Sequence, residues 1–139
     1  MLHCYSTSFN KYIINFILDN KGVTMKSVEM KSFNNADEVT DKFDNAKIEA
    51  VNVRNQRVHK LHLQPGWKWS KDVKPHLETD TCQATHLGVI TKGTICCKHD
   101  DGSEITYKSG DAYAIAPGHD AWVVGDEIAI AYEFAGMWE

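Results

Sequence analysis

Positive charge is sparse and scattered in this chain: Lys and Arg total 15 against 19 Asp and Glu, for a formal net charge of -4. Without a basic run it has no footprint for a phosphate backbone, so nucleic acid is not an expected partner. Long apolar runs are also missing. Tyr12 to Leu18 is broken by Asn15 and falls far short of the roughly 20 residues that cross a bilayer. The expectation is a soluble protein with no membrane partner. Disulfide spacing is absent too. Cys4, Cys82, Cys96 and Cys97 form no C-x-x-C and follow no cleavable leader, which points to reduced thiols in a cytoplasm. Cys96 and Cys97 are adjacent, so in a strand they face opposite ways and cannot grip one ion together.

What is present suits one domain of 139 residues, large enough to bury well over half of its unfolded surface. Residues 1–24 read as an N-terminal extension: a polar stretch, then Tyr12 to Leu18, ending at Asp19-Asn-Lys-Gly22. It either precedes the true start, at Met25, or frays or docks as a short helix. The domain then covers residues 25–139. Asn34-Asn-Ala-Asp-Glu38 is expected to cap a helical turn through Val39 to Phe43. Lys47 to Val53 and Arg57 to Leu63 have strand length and composition, joined at Arg54-Asn-Gln. In the second strand His59 shares a face with Leu61 and Leu63, His62 takes the other, and both histidines read as structural.

Pro65-Gly66 ends that strand, and Trp67 and Trp69 point to one side of an extended segment, as core, subunit interface or pocket wall. Further on, a two-residue loop at Asp101-Gly102 would set apolar against charged side chains on both faces of its hairpin. A three-residue loop, Asp100 to Gly102 with Gly102 left-handed, instead gathers Ile95, Cys97, Ile105 and Tyr107 on one face. Short strands continue at Ala112 to Ala116, Trp122 to Val124 and Ile128 to Phe134, with turns at regular intervals. The pattern indicates an all-β barrel or sandwich.

Over residues 57–135 the glycines and turns resemble the cupin superfamily, small jelly-roll β-barrels marked by two motifs. The first motif ends in a glycine that Gly93 matches, which puts His86 at its Glu and Asp80-Thr-Cys82 at its His-x-His. Gly110 opens the second motif, with Ala116, Gly118, Ala121 and Gly125 at its Pro, Gly, His and Asn. The resemblance, to small single-domain members, implies a jelly-roll fold with a site in the barrel. The usual three His and one Glu are replaced by Asp80, Cys82, His86 and Ala121, so the family's chemistry is not simply inherited.

His119 lies two residues before Ala121 and shares its face in an extended chain. With Cys82 and His86 it makes a Cys/His2 set for a divalent metal, zinc first and iron second. Extended chain would hold the Cα atoms of Cys82 and His86 roughly 13 Å apart, so Gln83-Ala-Thr85 must bend. His76, Asp80 and Asp120, with Trp67 and Trp69, are candidates for supporting or pocket roles. Two functions are open: a metal-dependent enzyme acting on a small polar molecule, or a non-catalytic barrel that binds or senses a small molecule without metal. Either is expected to work as a homodimer, with the Lys47 to Val53 segment and the Trp-rich stretch covering sheet edges.

Overall fold

A computed structural model describes residues 27–135, so the expectations about residues 1–24 and a start at Met25 lie outside the described residues. Among the described residues nine antiparallel strands follow in order: β1 (Glu38–Thr40), β2 (Ala46–Val53), β3 (Gln56–Leu63), β4 (His86–Lys92), β5 (Thr94–His99), β6 (Glu104–Lys108), β7 (Ala112–Ile115), β8 (His119–Val123) and β9 (Ala129–Ala135). They form a six-stranded sheet, β1-β2-β3-β9-β4-β7, and a three-stranded sheet, β6-β5-β8. The architecture is the expected all-β jelly roll.

Alternation along each strand builds the interior. Leu61 and Leu63 on β3, Ile90 on β4, Ile95 and Cys97 on β5, and Ala129 and Ala131 on β9 belong to one buried cluster spanning both sheets. Each large aliphatic side chain buried there contributes about 1.5–3 kcal/mol. The same parity sends His59, His86, His119 and Glu133 inward, and all four are buried. Polar groups therefore enter the core at fixed strand positions.

The β5–β6 register pairs Ile95 with Tyr107 and Cys97 with Ile105, as the three-residue loop requires. Gly102 sits in that loop at φ 92. Space is not the constraint, because a Cβ there would meet nothing within 4 Å. Gly102→Ala should therefore cost about 1 kcal/mol, from the left-handed backbone alone. An unchanged melting temperature would contradict it.

Three local expectations are corrected. Val39 to Phe43 is no helix: a 3-10 turn, Phe33–Asn35, is capped by Ser32, whose Oγ accepts the Asn34 N–H, and β1 follows. Asp37 accepts the Asn52 N–H at 2.7 Å while its own N–H reaches the Ala50 carbonyl, which favours pairing with β2 over a helical turn. The β2–β3 loop has two residues, since Val53 pairs with Gln56 and Arg54 takes a φ of 54. Trp67 and Trp69 are each 2% exposed, so they pack inside and cover no outer edge.

Candidate metal centre

Cys82 is placed by backbone pairing. Its N–H donates to the His119 carbonyl at 2.8 Å, and its own carbonyl accepts the Gly118 N–H at 2.7 Å. This single bridge sets Cys82 against the first residue of β8. The chain then bends through Gln83-Ala-Thr85 and enters β4 at His86. Cys82 Sγ and His86 Nε2 come within 3.6 Å of each other, the closure that extended chain forbids.

Each imidazole has one nitrogen committed to a fixed acceptor. His119 Nδ1 lies 2.7 Å from the Ala116 carbonyl, which only accepts, so Nδ1 donates there and Nε2 is the nitrogen left for the cavity. His86 Nδ1 lies 2.9 Å from Glu133 Oε2, which turns His86 Nε2 toward the thiol. The rings meet edge to face with centroids 5.0 Å apart. Donor atoms of Cys82, His86 and His119 all lie within 4.8 Å of one another. Zinc bond lengths imply tetrahedral edges of roughly 3.3–3.6 Å, so the three donors would have to draw about 1 Å closer to hold such an ion.

Burial opposes charge on Cys82, yet hydrogen bonds from His119 and His86 outweigh it and lower the thiol to about 6. Burial likewise opposes charge on His86, but its bonds to Cys82 and Glu133 raise it to about 9. Without metal the two form a thiolate–imidazolium pair between those limits. Cys97, buried in apolar surroundings, is pushed up to about 12, and burial also raises Cys96. A metal-free thiolate absorbance near 240 nm should therefore appear in a first step with a midpoint near 6. Cys82→Ser should abolish that step; a first midpoint above 8 in the wild type would refute the assignment.

Glu133 and Tyr113 were not singled out from the sequence. Glu133 Oε1 accepts the Tyr113 hydroxyl at 2.7 Å, giving a buried chain Tyr113–Glu133–His86. Gly88 lies between these strands, where a Cβ would meet the Tyr132 carbonyl at 2.5 Å and the Tyr113 hydroxyl at 2.9 Å. The available signal was parity: Glu133 follows Ala129 and Ala131 on the inward face of β9, where a carboxylate needs partners.

The other candidates separate. Trp67 and Trp69 line the cavity around the three donors. Asp120 points outward from β8, accepting the Ser70 and Ala121 N–H groups. Asp80 is fully exposed and pairs with Lys74, and His76 packs against the Phe43 ring. None of these three lines the cavity.

No protein-family model matches the chain, and no curated protein matches it. Solved structures do. A RmlC-like cupin from Shewanella frigidimarina shares 16% identity at a TM-score of 0.50, covering 80% of this chain and 96% of its own. The polyketide cyclase RemF from Streptomyces resistomycificus shares 10% at 0.54, covering 78% and 79%. A Vibrio parahaemolyticus protein of unknown function shares 19% at 0.51, covering 70% and 96%. At such identities the likeness is one of fold, and the fold is cupin-type.

Proposed function

We propose that this cupin-fold protein holds one divalent metal ion on Cys82, His86 and His119, and uses it to bind or transform a small molecule. The observation that carries this is the convergence within 4.8 Å, in a buried cavity, of one thiol and two imidazoles, each with its other nitrogen held by a fixed acceptor. One thiolate and two neutral imidazoles favour zinc, with iron second. Such an ion, with an open fourth position, supplies Lewis acidity toward a carbonyl or a water. Glu133 orients His86, and the Ala116 carbonyl does the same for His119. A reducing compartment such as the cytoplasm suits the free thiol.

The test is elemental analysis of protein purified without chelator, expected near one equivalent of zinc or iron per chain. Stripping that metal should lower the melting temperature and restoring it should raise it. Metal-free protein that gains no stability from added zinc or iron would leave the metal-independent sensing barrel.

One observation favours a second reading. Cys82, His86 and Glu133 are also linked as a nucleophile, base and orienting carboxylate would be. Against it, the cavity has about 20 Å³ of room, too little for an acyl substrate, and His119 has no part in such a triad.

The homodimer is proposed on a different surface from the Trp-rich one. Leu87 and Phe134, 51% and 55% exposed, with Val89 lie on the outer face of β4 and β9, an apolar surface of the kind that associates. Light scattering at tens of micromolar should give twice the chain mass, and a monomer would refute the dimer.

A further inference from the structure

The cavity at the three donors is small and closely walled. Its volume of about 20 Å³ is far below the roughly 150 Å³ of a cavity that takes up benzene. Trp67 and Trp69 are 2% exposed, and Tyr107 stacks on Tyr113 with ring centroids 4.3 Å apart. The Tyr113 hydroxyl is tied to Glu133, so enlarging the cavity there means breaking a buried hydrogen bond. An organic substrate would have to displace close-packed aromatic side chains, whose rearrangement costs free energy.

Beside it, at the edge strands β6 and β7, lies a wider cleft of about 260 Å³ that includes His99, Ser103, Glu104, Ile105 and Ala116. Ile115 borders both spaces. At 8% exposed, it is among the least covered of the cavity's residues.

We propose that the open position at Cys82, His86 and His119 admits only ligands of about one or two non-hydrogen atoms, namely water or a diatomic donor such as cyanide or dioxygen, and that the Ile115 side chain is the partition through which they pass. This rests on the metal reading above and narrows it. The molecule bound is a small inorganic one, and selection is by size.

The full chain is loaded with cobalt(II), and uptake is checked by mass and by the thiolate-to-cobalt absorbance before any ligand is added. Failure to take up cobalt would count against the metal reading itself. In loaded wild-type protein, cyanide should change the visible spectrum saturably with the cobalt retained, while imidazole at equal concentration should not. Ile115→Ala should admit imidazole at least about tenfold more tightly than wild type, the scale of removing apolar bulk from a pocket wall. Ile105→Ala, which alters only the cleft, should change nothing at the metal. If Ile115→Ala does not fold, Ile115→Val should give a smaller gain of the same sign. Equal imidazole binding by wild type and the Ile115 variant would overturn the size limit. Absence of cyanide binding in both would show a closed coordination shell and overturn the proposal.

Discussion

Replacing His119 with alanine should give a folded protein that no longer retains metal through purification. His119 would supply one of three protein ligands. Its loss should therefore cost more affinity than the roughly 10–100-fold typical of removing a group that merely orients a ligand. The fold should survive. His119 Nδ1 bonds a single carbonyl, that of Ala116, and leaving such a group unpaired costs about 1–3 kcal/mol. Wild-type protein should gain about 2.7 kcal/mol of stability at a metal concentration 100 times Kd, and the variant should gain nothing. Cys82→Ser and His86→Ala should behave alike. His59→Ala is the control: His59 is buried and accepts from Arg57 Nε at 3.2 Å, but it stands outside the donor group. That variant should lose stability and keep its metal. Full metal retention by folded His86→Ala and His119→Ala would eliminate the ligand set.

The fold was legible because turns and strand parity are local. Gly102 fixed the β5–β6 register through its own backbone, and alternation assigned the faces of Cys96 and Cys97 before any contact was known. The juxtaposition of Cys82 and His86 was legible only as a condition, since it depends on the bend at Gln83-Ala-Thr85 and on a backbone bridge from Cys82 to His119. Nothing in the residues from 82 to 86 encodes that bridge. Glu133 was harder still. It lies 47 residues from His86 and reaches it only because β9 inserts between β3 and β4, a long-range pairing that periodicity cannot see. The Trp67 and Trp69 side chains shared one direction as expected. Whether that direction was inward depended on the backbone at Trp67, whose carbonyl accepts the Val123 N–H.

Glu133→Gln should weaken metal binding and the fold together, and pH separates the two contributions to binding. Glu133 accepts from Tyr113 at one oxygen and from His86 at the other. A glutamine can accept from His86 with its one oxygen and donate its NH2 to the Tyr113 hydroxyl oxygen, but it reverses that second bond and leaves the imidazolium without its carboxylate. Breaking a buried pair of this kind costs about 3–5 kcal/mol, which should show as a large drop in melting temperature. In the wild type the bonds to Cys82 and Glu133 hold His86 at about 9. Below that value metal must displace its proton; above it the imidazole is already neutral. Removing the carboxylate lowers the His86 pKa, so below 9 the variant loses orientation but recovers part of the cost of deprotonation. Above 9 only the orientation loss remains. The deficit in affinity should therefore be smaller at pH 7 and approach its full value, about 10–100-fold, as pH rises past 9. The measurement is competition with a chromophoric chelator at both pH values, on protein shown to be folded. A deficit larger at pH 7 than at pH 9 would mean that Glu133 does not hold the proton on His86.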